Sequence, residues 1–263
     1  MNILDRIIAT KKTELVLRKG LLPIGVLERF PFFNRPTVSL VSSLRSGERT
    51  GIIAEFKRKS PSKGIINDRT PLQDVVEAYQ LYGASAISIL TDESYFGGSN
   101  DDLLQAREWV SIPLLRKEFI VDEYQLLEAK AIGADIILLI AACLKPQEVS
   151  DLARTAHQLG LEVLLELHAE EELGHVCDEV DLIGINNRDL KTFTVDLDRS
   201  VAMAEKLGSG KPRIAESGIN GPGQVKFFRN AGFSGFLIGE NFMKETDPGK
   251  AFRTFVNEIQ VDQ

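Results

Sequence analysis

The chain has 263 residues, 31 basic against 38 acidic, for a net charge of −7, and 43% of it is hydrophobic. This length suits one large domain of roughly 250 residues with a core that needs no covalent staples. The acidic balance excludes a nucleic-acid-binding surface but permits a few cations focused in one cleft.

Asp5, Arg6, Lys11 and Lys12 interrupt the apolar residues of the first twelve positions, which excludes a secretory signal. The longest apolar run, Ile136 to Leu144, is far short of the roughly 20 residues that span a bilayer. Cys143 and Cys177 form no disulfide framework, so a reduced, cytoplasmic protein without membrane attachment is expected.

In chain order, Leu4, Ile7, Ile8 and Leu15 fall on one helical face and predict an amphipathic helix over Ile3–Arg18. Its role is either to close one end of the fold or to shape a pocket. Residues 1–48 are accordingly expected to form a helical extension packed on a catalytic domain of residues 49–263. Strands are predicted at Ile52–Lys57, Ala86–Thr91, Ile112–Lys117, Asp135–Ile140, Glu162–Leu167, Asp181–Asn186, Arg213–Ser217 and Gly235–Gly239. Helical patterns follow each, as at Pro71–Tyr82, Glu123–Ile132 and Pro146–Leu159. Gly83, Gly133, Gly160 and Gly232 each end an amphipathic stretch just before an apolar run, as left-handed helix caps do.

Strict alternation of strand and helix implies a parallel sheet, and eight units favour closure over an open, doubly wound sheet. The expected fold is a (β/α)₈ TIM barrel with an N-terminal helical extension. Neither a dinucleotide glycine fingerprint nor a P-loop is present. The chain ends soon after the eighth helical pattern, so a monomer without a fused partner enzyme is expected.

In such barrels the active site lies at the C-terminal strand ends. A single charge there is an ordinary solvated terminus. Here Lys57, Lys117, Glu166, Arg188 and Glu216 all converge on one mouth, where unpaired burial would be costly, so chemistry is expected. Alternate strand residues share a face, which turns Glu55 inward beside Lys57. Gly218 and Gly239, just past the seventh and eighth strands, predict a phosphate site built from backbone N–H groups. His168, His175 and Cys177 match no common zinc spacing, so no metal is expected, and His157 in a predicted helix is read as structural.

Several stretches carry a resemblance. They are Ile53-Ala54-Glu55-Phe56-Lys57-Arg58-Lys59-Ser60-Pro61-Ser62-Lys63-Gly64, Leu90-Thr91-Asp92-Glu93 with Phe96-Gly97-Gly98-Ser99, and Leu115-Arg116-Lys117-Glu118-Phe119-Ile120. Gly184-Ile185-Asn186-Asn187-Arg188-Asp189-Leu190, Ala215-Glu216-Ser217-Gly218-Ile219 and the N-terminal Ile3-Leu4-Asp5-Arg6-Ile7 complete the set. Over nearly its whole length the chain resembles the indole-3-glycerol phosphate synthase family. That family turns 1-(2-carboxyphenylamino)-1-deoxyribulose 5-phosphate into indole-3-glycerol phosphate, releasing carbon dioxide and water, without a cofactor.

The resemblance implies that Lys117 is the general acid of ring closure, that Lys57 lies near the substrate carboxylate with Glu55 beside it, and that Glu166 is the acid/base partner. It further implies that Asn186, Arg188, Glu216 and Ser217 line the pocket, that Ser60 and Phe119 bind substrate, and that Gly218, Gly239 and Glu240 hold its phosphate. Glu118 stands where the family usually has Asp, Asn241 where Ser is common, and Leu167 where Val is usual.

The residue types suit this chemistry by themselves. Two lysines and several glutamates in a dry pocket can deliver and remove the protons of ring closure and dehydration. The nearest rival, phosphoribosylanthranilate isomerase, expects a cysteine at the first strand end, where this chain has Glu55-Phe56-Lys57. An inactive binding barrel would not need both lysines.

Overall fold

The computed structural model describes residues 3–189, 194–208 and 210–261; Leu190, the last residue of one motif, lies outside them. Eight parallel strands close a barrel. They are β1 (Ile52–Phe56), β2 (Ala86–Leu90), β3 (Leu114–Lys117), β4 (Ile136–Ile140), β5 (Glu162–Leu167), β6 (Leu182–Asn186), β7 (Arg213–Glu216) and β8 (Gly235–Ile238). Neighbours in sequence are neighbours in the barrel, and β8 closes onto β1 through Ile52↔Phe236 and Ala54↔Ile238.

The strand ends differ slightly from expectation, for local reasons. β3 starts at Leu114 because Pro113 has no N–H for the ladder. β4 begins at Ile136, one residue after the predicted start at Asp135, whose backbone still bonds to Leu114 O and Glu162 N and whose side chain is held on both oxygens: Oδ2 accepts from Leu114 N at 2.8 Å and pairs with Arg107, while Oδ1 takes Val38 N and Arg35. β7 stops at Glu216 because Ser217 turns to φ 66, a left-handed conformation uncommon outside glycine.

Period-two alternation sorts each strand into two cores. Ile53, Leu115, Leu164, Leu182, Ile214 and Leu237 fill the barrel interior. Their neighbours Ile52, Ala54, Leu114, Val163, Leu165, Ala215 and Phe236 pack outward against the helices. Continuing along the inward set, two residues on, leads from Ile53 to Glu55, from Leu115 to Lys117, from Leu164 to Glu166 and from Ile214 to Glu216. The apolar interior therefore gives way to charge at one end, and that end is the mouth.

The N-terminal extension serves both ends of the barrel. Helix α1 (Ile3–Leu21), three residues longer than predicted, runs past the mouth, and its Leu4 lines the cavity there. The helix Leu40–Ser46 plugs the opposite end: Leu40 joins the interior core, and Glu162 Oε2 accepts from Leu40 N at 2.8 Å and Val41 N at 3.2 Å. A short antiparallel hairpin, Lys59–Ser60 with Gly64–Ile65, follows β1. No helix among the described residues is long and apolar enough to cross a membrane.

Candidate active site

The mouth opens into a cavity of about 470 Å³. Glu55, Lys57 and Ser60 line it from β1 and the loop beyond, and Lys117 and Phe119 from β3. Glu166, Asn186 and Arg188 enter from β5 and β6. Glu216, Ser217 and Gly218 come from β7, and Gly239 and Glu240 from β8. Each catalytic and substrate-binding candidate of the sequence thus lines one cavity, whereas His157, His175 and Cys177 do not. Arg116, beside Lys117, points the other way and is buried against the helix Tyr124–Ala131, where its Nη2 meets Glu128 Oε2 at 3.0 Å.

Lys117 is the centre of the charge array. Its Nζ donates to Glu166 Oε2 at 2.9 Å and stands 3.9 Å from Glu216 Oε2. Burial works against its positive charge, but Glu166, Glu216 and Glu55 outweigh burial and raise its pKa above the ordinary lysine range. The two glutamates beside it are driven apart. Burial disfavours the Glu166 carboxylate, yet Lys117 and His168 overcome this and hold its pKa well below the usual range. In Glu216, burial and then the Glu166 charge push the carboxyl well above that range despite Lys117. One ammonium therefore sits between two carboxyls whose proton affinities are driven in opposite directions, the arrangement in which two carboxyls can divide acid and base roles.

Second-layer contacts fix these groups. Asn186 Nδ2 donates to Glu166 Oε1 at 2.8 Å, and Asn186 Oδ1 accepts from Arg188 N at 3.0 Å. Asn187, fully buried, donates to Ser217 O at 2.6 Å and ties the ends of β6 and β7 together. Lys57 Nζ lies 2.7 Å from Glu55 Oε1, so this second cation enters the cavity already paired. Its neighbour Arg58 grips Asp102 in two bonds of 2.5 and 2.8 Å, which anchors the chain just beyond Lys57.

Two glycines make room for the carboxylates. A Cβ on Gly184 would lie 2.2 Å from Glu216 Oε1, and one on Gly239 would lie 2.5 Å from Glu55 Oε1. Gly184 is a site residue that sequence reasoning missed, since its reason lies on another strand. His168, which the sequence offers only as a mismatched metal ligand, also reaches the site. Its Nε2 stands 2.8 Å from Glu166 Oε1, off the axis of a good hydrogen bond. Its place two residues after Glu166, on the same inward face, was the available signal. Among the described residues no group of His, Cys, Asp and Glu side chains gathers to hold a metal ion.

Fold and site together define a (β/α)₈-barrel enzyme whose mouth moves protons on a small anionic substrate. The sequence profile described as indole-3-glycerol phosphate synthase matches residues 4–255, and the chain belongs to that family.

Among its relatives, the indole-3-glycerol phosphate synthase of Bacteroides thetaiotaomicron is 48% identical, over 98% of this chain and 99% of its own. That of Neisseria meningitidis serogroup B is 43% identical, over 95% and 99%. Among solved structures, the tryptophan synthase alpha subunit of Legionella pneumophila superposes with a TM-score of 0.60 over 84% of this chain and 95% of its own. At 16% identity that likeness shows the fold alone.

Proposed function

We propose that the chain forms indole-3-glycerol phosphate for tryptophan synthesis, by ring closure, decarboxylation and dehydration of 1-(2-carboxyphenylamino)-1-deoxyribulose 5-phosphate. The observation that carries this reading is Lys117 seated between Glu166 at 2.9 Å and Glu216 at 3.9 Å, with the proton affinities of the two carboxyls driven in opposite directions. The aniline nitrogen supplies the electrons, so the ring carbon bearing the carboxylate attacks the ribulose carbonyl without a cofactor. The carbonyl oxygen then needs a proton, and Lys117, kept fully charged, is the donor. Loss of carbon dioxide restores the aromatic ring.

Dehydration requires an acid for the departing hydroxyl and a base for the proton lost with it. Lys57, paired with Glu55, faces the substrate carboxylate first and serves as that acid afterwards. Glu166 is the base. Glu216, whose burial beside Glu166 strengthens its hold on a proton, donates a hydrogen bond to the reacting oxygen, and Asn186 keeps Glu166 aimed. Phe119 and Phe96, with ring centroids 6.0 Å apart, give the aromatic ring an apolar wall.

Gly218 and Gly239, with Ser217, Arg188 and Glu240 around them, receive the phosphate, and Ser60 closes over the substrate from the first loop. Residues 1–48 act as an extension of the catalytic domain 49–263. In this reading the protein works in the cytoplasm as a monomer, and one chain supplies every group named above.

The test is direct. Purified protein supplied with this substrate should release carbon dioxide and develop indole fluorescence in equal amounts. Absence of carbon dioxide release overturns the assignment.

A further inference from the structure

Helix α1 buries one face, and the buried residues are Ile7, Lys11 and Leu15, spaced one turn apart. A lysine at the centre of an apolar stripe is expensive unless its ammonium is fully paired. Lys11 is only 5% exposed, and its Nζ meets three carboxylates: Glu14 Oε2 at 2.7 Å, Asp92 Oδ2 at 3.2 Å and Glu118 Oε1 at 3.2 Å. Asp92 and Glu118 are themselves buried.

Each of these two carboxylates carries a piece of the cavity wall. Asp92 lies just past β2, and its Oδ1 caps the short helix Glu93–Phe96, accepting from Tyr95 N at 2.7 Å and Phe96 N at 3.2 Å. Glu118 lies just past β3; its Oε1 accepts from Phe119 N at 2.8 Å and its Oε2 from Thr91 Oγ1 at 3.0 Å. The two segments so held present Phe96 and Phe119, whose rings meet and both line the cavity. Glu14 and Thr10 extend the tie from the same helix, to Ser94 Oγ at 3.1 Å and Tyr95 Oη at 3.0 Å.

We propose that Lys11 is a positioning residue for substrate binding: a buried ammonium on the N-terminal helix that locks the loops after β2 and β3 together and thereby sets the Phe96–Phe119 wall. The inference rests on the assigned reaction, because it takes that wall to receive the substrate's aromatic ring. It gives the extension a specific task beyond covering the barrel. Without the cation, Asp92 keeps its backbone N–H partners and Glu118 its hydrogen bonds and Arg116 at 4.0 Å, but the ammonium that joins the two carboxylates is gone, and the loops that carry the phenylalanines separate.

Lys11→Met keeps the length and apolar stem of the side chain and removes its charge. KM should rise about 10-fold or more, with kcat within ~3-fold of the parent, because the lost contact belongs to ground-state binding and Lys117 is untouched. Asp92→Asn should also raise KM while keeping the cap on Tyr95 and Phe96, since Asn caps as well as Asp. It is the variant to read should Lys11→Met fail to fold. Lys19→Met, on the same helix but exposed and paired with Asp122 at 2.7 Å, is the control and should leave KM unchanged.

A lower melting temperature with unchanged KM in the folded variants overturns the proposal and leaves Lys11 a structural ion pair. A loss confined to kcat overturns it equally. A parent chain that neither binds nor converts the substrate overturns the assigned reaction instead.

Discussion

Replacing Gly184 by alanine tests whether Glu216 acts from the position the barrel gives it. The added Cβ would sit 2.2 Å from Glu216 Oε1, 3.3 Å from Glu216 Cδ and 3.4 Å from Leu164 Cδ1. Gly184 is paired in the sheet with Glu166 and Ile214 and does not have a left-handed backbone, so alanine fits its conformation. Only the carboxyl of Glu216 must move, by about 1 Å to reach ordinary contact distance.

Overpacking of this kind typically costs about 1–3 kcal/mol. Against a total of roughly 5–15 kcal/mol the chain stays folded at 25 °C. A catalytic group displaced by about 1 Å, however, costs on the order of 10²-fold in rate. That equals about 2.7 kcal/mol of barrier. Gly184→Ala should therefore lower kcat about 100-fold with a modest change in melting temperature, read by indole fluorescence and by a thermal melt on the same preparation. A kcat within ~3-fold of the parent would show that Glu216 needs no fixed position, and its proposed role would fall.

The protonation state of Glu216 gives a second test, through pH. Its folded pKa is raised above the unfolded value, so the native state holds a proton that the unfolded chain has lost, and stability falls as pH rises between the two values. Glu216→Gln cannot ionise, so its melting temperature should gain on that of the parent as pH rises above ~4, the usual carboxylate range; a constant difference would mean that Glu216 is not held neutral. Inorganic phosphate should bind beside Gly218 and Gly239, compete with substrate and stabilise the fold, by about 2.7 kcal/mol at 100 times its Kd. A phosphate-induced rise in melting temperature that persists undiminished under saturating substrate would place the anion elsewhere.

What the sequence disclosed follows from how local each cause is. Period-two alternation carries Glu55 and Lys57 to the same face, and the same count links Lys117 and Glu216 to the apolar residues two positions before them, so the charged mouth was visible without coordinates. Gly239 was read as a backbone approach to phosphate. It also leaves the space that Glu55 fills, which only closure of β8 onto β1 reveals. Gly184 is similar, because the carboxylate it admits arrives from β7.

The helical stripe was read through Leu4, Ile7, Ile8 and Leu15, whereas the buried face is Ile7, Lys11 and Leu15. Hydrophobic periodicity skips a lysine by construction. Its partners, Asp92 and Glu118, lie far along the chain and are brought to it only by the docking of α1.

The division of labour between the two lysines is the central claim, and single-turnover kinetics of Lys117→Ala and Lys57→Ala, recording carbon dioxide and indole fluorescence together, test it most directly. Loss of a general acid typically costs about 10²–10⁴-fold. Lys117→Ala should lose that much kcat with KM nearly kept, and both signals should vanish together, because no ring closes. Lys57→Ala should raise KM, through the lost contact to the substrate carboxylate, and should release carbon dioxide ahead of indole. If both variants show the same KM-dominated loss with the two signals in step, the lysines merely neutralise an anion, and the account of proton delivery by Lys117 is wrong.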